Sequence, residues 1–209
     1  KFVAGGNAHG YEPAVLEKIW KDWTAFASYA FNKSHATCYS WVAYQTAYLK
    51  ANFPAQYMAA VMSRSIGNIA DLTKFLDECK AMRLVCLGPD VNESYRKFSV
   101  NHLGDIRFGL GGIKGLGDNA VQAIIDERER GGKFTSVFDF FERVNLNICN
   151  RKNLECLALS GAFDSFGEMR REQFFGQSES GLPYLDALLT YGQRFQMENE
   201  ESTNSLFGD

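Results

Sequence analysis

Two stretches of this 209-residue chain hold side chains and backbone able to do chemistry. The first is Lys33-Ser34-His35 at the start of a helical pattern, with Tyr39 one turn beyond His35. A cation, a hydroxyl and an imidazole at a helix start can hold a triphosphate, and residues four apart share a helix face. The competing reading assigns Ser34 and His35 to helix capping and Tyr39 to the core. The second stretch is Lys114-Gly115-Leu116-Gly117, followed by Asp118-Asn119 and a helix marked by Ala120, Val121, Ile124 and Ile125. Gly115 and Gly117 are both expected to supply positive φ and to admit another backbone closely. Asp118 is expected to cap the helix or to sit in its first turn. Unpaired N–H groups then point outward at a positive helix end beside Lys114. That is an anion site, and phosphate is the anion that suits it. The competing reading is a plain helix start with glycines at a tight corner.

A dinucleotide fingerprint would need a preceding strand and wider glycine spacing. The spacing at 114–117 looks more like the turn of a helix-hairpin-helix, which grips a nucleic-acid backbone without reading bases.

The surrounding elements read as mainly α. Residues 1–10 are rich in glycine and read as loop. Pro13 suits the first turn of a helix over 13–29, with Val15, Ile19, Trp20, Trp23 and Phe26 near helical spacing. A long helical pattern follows to about Ala51, Pro54 opens another through Met62, and a fourth ends near Arg83. Texture changes at Leu84. Leu84-Val85-Cys86-Leu87 reads as a strand stopped by Gly88-Pro89. Lys97–Val100 and Ile106–Leu110 read as a hairpin around a turn that holds His102, taken as a solvated loop residue. The charge run 126–130 reads as a solvated helix face. A short helix over 135–143 has Ser136 as its cap and turns Val137, Phe138, Phe140 and Phe141 to the core. Asn150-Arg151-Lys152-Asn153 precedes a second helix and turn. A last helix runs from Leu182 to Met197, with Pro183 in its first turn.

Composition narrows the classes. Net charge is -3, so nucleic-acid contact must come from a local cluster. Arg107 to Lys152 carries eight basic against six acidic residues, the only extended basic-leaning region. Cys38, Cys79, Cys86, Cys149 and Cys156 are odd in number and form no C-x-x-C pair. A disulfide framework or a zinc site is not expected, and a reducing cytoplasm fits. No apolar run has the length of a membrane span, and no signal peptide is read. The opening Lys-Phe-Val-Ala-Gly-Gly, without methionine, reads as a piece of a larger protein.

Several blocks now stand in order. They are Phe31-Asn32-Lys33-Ser34-His35-Ala36 with Tyr39, Tyr44–Lys50, Phe53-Pro54-Ala55 and Met58-Ala59-Ala60, then Gly88-Pro89-Asp90-Val91-Asn92. Gly109–Gly117, Phe138-Asp139-Phe140, Asn150–Glu155 and Ser160-Gly161-Ala162-Phe163-Asp164 follow. Together they resemble the bacterial replicative DNA polymerase III alpha subunit across essentially the whole chain. The resemblance implies part of the polymerase fingers over 1–83 and a small β-containing subdomain over 84–112. It implies a tandem helix-hairpin-helix DNA-binding region over 113–175, and a helix and acidic tail over 176–209.

It also implies roles. Lys33, Ser34, His35 and Tyr39 would face the incoming nucleotide. Lys114, Gly115, Leu116, Gly117, Asp118 and Asn119 would meet duplex primer-template DNA, with Arg151 and Lys152 from the second hairpin. Leu206 and Phe207 would end a sliding-clamp peptide, Thr203-Asn204-Ser205-Leu206-Phe207. Threonine stands there where the family's motif has glutamine, so the amide's hydrogen bonds would be missing. The family's catalytic aspartates lie in the palm, upstream. No closely spaced carboxylate pair beside a strand is found here, and two-metal chemistry needs one. No catalytic residue or metal is therefore assigned to this segment, which is expected to be inactive alone. Magnesium, deoxynucleoside triphosphates and the other replicase subunits belong to the whole polymerase, and no membrane partner is expected. The alternative from another class is a free-standing helix-hairpin-helix module or scaffold. A third is a repair or recombination accessory protein.

Overall fold

The computed structural model describes residues 1–28, 32–178 and 181–205. It divides into two compact units, Lys1–Asn52 and Phe53–Asp209.

The first unit holds α1 (Phe2–Ala8), α2 (Pro13–Ser28) and α3 (Lys33–Asn52). Residues 2–8 form a helix where the glycines suggested loop. Packing favours it: a Cβ on Gly6 would lie 2.6 Å from Leu16 Cδ1, so glycine lets α1 sit close on α2 without moving that side chain. Phe2 completes the contact, its ring 5.8 Å from Trp20 and 4.9 Å from Trp23. Leu16 is the only buried residue of α2, and α3 buries none. Tyr39, Trp41, Tyr44 and Tyr48 all stand exposed on α3.

The second unit begins with α4 (Pro54–Arg64) and α5 (Ile69–Ala81). These two helices, grouped with the N-terminal helices by sequence texture, share a core with the sheet. Met58, Met62, Leu72 and Cys79 pack with Phe98 and Ile106. The sheet has three two-residue strands: β1 (Cys86–Leu87), β2 (Ser99–Val100) and β3 (Ile106–Arg107). β3 is central, antiparallel to β2 as the hairpin reading requires, and parallel to β1. Asn101 closes the hairpin by accepting the N–H groups of Leu103 and Asp105, and His102 is exposed in that turn.

A larger core lies beyond. It is built on α6 (Asp118–Gly131), α7 (Val137–Arg143), α8 (Arg151–Ser160) and α9 (Tyr184–Ser205). Ile124, Phe140, Phe141, Leu154, Leu157, Phe163 and Leu185 are among its buried side chains. Ser136 caps α7 by accepting the Asp139 N–H at 2.9 Å. Asn150 caps α8 by accepting the Asn153 N–H, and Gly161 ends α8 at φ +81. α9 clasps α7: Gln196 donates to the carbonyls of Phe141, Glu142 and Val144, satisfying the end of that helix. α9 also runs on through Ser205, past the expected end at Met197.

Two side-chain expectations change. Phe138 does not enter the core but meets the Tyr191 ring of α9 edge-on at 5.5 Å. The charge run on α6 is not wholly solvated, because Glu127 and Arg128 are buried. Arg128 donates to the carbonyls of Val91 (2.9 Å) and Ser94 (2.8 Å) and lies over the Tyr95 ring. Burial pushes its pKa down from the ordinary guanidinium value, although Tyr95, Glu129 and Asp90 oppose that. Glu127 accepts from Arg130 and Arg143. Periodicity marks these positions as polar, but Val91, Ser94 and Arg143 lie far along the chain.

Candidate nucleic-acid interface

The glycine turn lies between a short 3-10 turn and α6, beside the start of α8. The approach Gly109-Leu110-Gly111-Gly112 is a short 3-10 turn over Leu110–Gly112. Leu110 and Ile113 are buried and fix its direction, while Lys114 is exposed just before the corner. Gly115 takes φ +87, and a Cβ there would stand 3.0 Å from Cys156 Sγ of α8. Both the left-handed backbone and the close neighbour require glycine at 115. Gly117 differs from the expectation. It is extended, at φ -76 and ψ 143, and forms the cap position of α6. A Cβ there would meet only Asn153 Oδ1, at 3.7 Å, an ordinary contact. The turn thus spends one glycine on positive φ. The second corner residue needs only an extended backbone.

Asn153 is the residue that joins the starts of α6 and α8. Its side-chain oxygen accepts the Gly117 N–H at 3.1 Å, and its amide donates to the Ile148 carbonyl at 2.9 Å. It is nearly buried and lies in the first turn of α8. The start of α6 is therefore bonded directly to the start of α8. Sequence reasoning named Asn153 only as part of a block. The one available signal was an Asn at the third helical position, where a side chain commonly faces back toward the helix start.

The N–H groups of Asp118 and Asn119 have no acceptor among the described residues, as expected for a first helical turn. Two positive helix ends thus lie side by side, with Lys114 before one and Lys152 in the first turn of the other. Lys114, Asn119 and Lys152 are exposed, and Leu116 packs against the core below. Asp118 does not cap α6 through its side chain but pairs with Arg96 at 2.6 Å. Arg151 is bound within the chain, donating to Asp186 Oδ1 at 2.7 Å and to Glu155 Oε2 at 3.0 Å. The hydrogen bond to Asp186, followed by its charge, raises the Arg151 pKa above the usual value.

The other stretch is simpler. Asn32 caps α3, its side chain accepting the N–H groups of Ser34 (2.9 Å) and His35 (3.4 Å). Ser34 and His35 are therefore not the cap. Lys33, Ser34, His35 and Tyr39 are all exposed, so Tyr39 is not a core residue. The His35 and Tyr39 rings share a face, with centroids 4.0 Å apart. Leu206 and Phe207 lie outside the described residues, and Thr203, Asn204 and Ser205 belong to α9.

Among the described residues no group of three His, Cys, Asp or Glu side chains gathers as metal ligands, and no helix is long and apolar enough to cross a membrane. Burial pushes the Cys79 and Cys149 thiols up to about 12, which leaves both protonated and unreactive.

The helix-hairpin-helix motif family matches residues 83–173, the region just described. Across 99% of its length the chain is 41% identical to the DNA polymerase III subunit alpha of Borreliella burgdorferi, and it covers 17% of that protein. It is 42% identical over 86% of its length to the protein of that name from Mycobacterium tuberculosis, covering 15% of it. With the Neisseria meningitidis counterpart it shares 44% identity over 78% of its length and covers 14%. The chain thus spans a small part of the relatives it matches.

Proposed function

The chain belongs to the DNA polymerase III alpha-subunit family, and from that premise we propose that its second unit holds duplex DNA by the phosphate backbone during template-directed synthesis. The observation that carries this reading is the Gly117 N–H bonded to Asn153, which puts the starts of α6 and α8 at one place. Free N–H groups at two helix ends, with Lys114 and Lys152 beside them, suit phosphate oxygens. Contacts of this kind go to the backbone and carry no base information, so the grip is independent of sequence.

In the first unit, Lys33 and His35 hold the triphosphate of the incoming nucleotide, with Ser34 and Tyr39 beside them. The whole polymerase performs nucleotidyl transfer with magnesium supplied elsewhere, and this segment contributes positioning charge rather than proton transfer. Leu206 and Phe207 dock on the sliding clamp. The division into fingers (1–83), a β-containing subdomain (84–112), tandem hairpins (113–175) and a tail (176–209) is part of the proposal.

Fluorescence anisotropy of a labelled random-sequence duplex, over a series of salt concentrations, tests the grip. Binding that weakens steeply with salt and is equal for unrelated sequences supports it. Absence of binding at low salt removes it. In the whole polymerase, Lys33→Ala raises the KM for nucleotide. A change confined to DNA affinity would overturn the triphosphate assignment.

A further inference from the structure

An arginine stands at the start of each of the two helices, held by one carboxylate at α6 and by two at α8. At α6, Arg96 Nη2 donates to Asp118 Oδ2 at 2.6 Å. At α8, Arg151 Nε donates to Asp186 Oδ1 at 2.7 Å, and its Nη1 donates to Glu155 Oε2 at 3.0 Å. Both pairs are open to water, with side-chain exposures of 57% and 65% in the first and 49% and 27% in the second. Exposed ion pairs of this kind are weak, whereas phosphate accepts a guanidinium through two oxygens and releases counterions as it does so.

The position of Arg96 is built into the fold. Its carbonyl accepts the Gly111 N–H at 3.0 Å. A Cβ on Gly109 would lie 2.7 Å from that oxygen and one on Gly111 would lie 2.8 Å from it. Neither glycine has a positive φ, so both are needed for closeness alone. Together they seat the segment around Arg96 against the approach to α6. The apolar glycine run before the turn thereby delivers a cation from 22 residues upstream of Asp118 to the turn itself.

We propose that Arg96 and Arg151 are phosphate ligands held in reserve, which exchange Asp118 and Asp186 for the duplex backbone when DNA arrives. The two carboxylates then set the strength of the grip. They keep the arginines ordered in the free chain and compete with phosphate for them. This rests on the duplex reading above and adds Arg96, Asp118 and Asp186 to it in defined roles.

Anisotropy with the random-sequence duplex separates the parts. Arg96→Gln weakens binding and makes the slope of log affinity against log salt shallower by about 0.9, one phosphate contact. Asp118→Asn and Asp186→Asn each tighten binding, by about 1.4-fold to fivefold, as expected when a weak competing ion pair is removed. Arg96→Gln placed on Asp118→Asn cancels that gain, as Arg151→Gln does on Asp186→Asn. Glu129→Gln, the same charge change at the other end of α6, leaves affinity unchanged and so separates competition from net charge. Equal gains from Glu129→Gln and Asp118→Asn would overturn the proposal. So would unchanged binding in Arg96→Gln and Arg151→Gln when the wild-type chain binds. A wild-type chain that fails to bind would remove the duplex reading itself, a distinguishable result.

Discussion

The two regions with sequence-level chemical promise are held in opposite ways. The turn at 114–119 rests on a core of buried side chains including Ile124, Leu154 and Leu157, and on Asn153, which has partners on both sides. Lys33, His35 and Tyr39 lie on a helix that buries nothing and whose aromatic residues face water. In the first region the fold supplies the positioning, so the backbone donors are ordered before any ligand arrives. In the second the helix supplies a face but no support beneath it. A contiguous exposed aromatic face of this kind is normally covered by other protein. The donors of the proposed phosphate grip are thus positioned by the segment's own packing, whereas the residues proposed for nucleotide contact have no such support from α3.

The sharpest way to break this comparison is to damage each region's packing. Leu157→Ala removes a fully buried side chain and costs about 2–5 kcal/mol in denaturant unfolding, with loss of duplex binding. Tyr44→Ala on α3 changes stability by no more than about 0.5 kcal/mol, because the ring is exposed. Equal costs would mean that α3 has a core after all.

The corner glycines come next. Gly115→Val strains a left-handed backbone and crowds Cys156, costing about 1–3 kcal/mol and weakening duplex binding. Gly117→Val leaves the chain folded and its binding close to wild type, since that backbone is already extended. A reversed order of effects in paired unfolding and binding curves would contradict the geometry of the turn.

Smaller still is the cap of α7, where Ser136→Ala costs about 1 kcal/mol by thermal or denaturant unfolding. The same helix start gives a pH signature. Partial burial pushes the Asp139 carboxyl up, but the Thr135 N–H and the Arg143 guanidinium outweigh it and hold the pKa below the usual range. Its contribution to stability is therefore complete above the unfolded-state pKa of about 3.9 and is lost as pH falls through the lower folded value. The stability gap between wild type and Asp139→Asn should close as pH drops from 6 to about 2. A gap that widened would reverse the sign assigned to Asp139.

Much of the hairpin unit was legible because its signals are local. The spacing of Ala120, Val121, Ile124 and Ile125, the cap at Ser136 and the block at Asn150 each act within a few residues, and each forms the element expected. The unread features depend on distance along the chain. Nothing near Gly117 announces a bond to Asn153, 36 residues on. Nothing near Arg128 announces that the carbonyls of Val91 and Ser94 wait for it. The two corner glycines look alike in sequence, and only the path to Cys156 tells which one carries the positive φ. Residues 1–10 misled for the same reason, since glycine marks a loop and a close helix contact equally well.

In the proposed function, two helix starts and their lysines form one backbone-gripping site. Its most direct test compares the salt dependence of duplex binding by the wild-type chain with that of Lys114→Ala/Lys152→Ala. Both lysines are exposed, so the unfolding midpoint serves as the control. The expected result is an unchanged midpoint, weaker binding, and a slope shallower by about 1.8, two phosphate contacts. An unchanged slope with wild-type affinity would place the duplex elsewhere on the molecule.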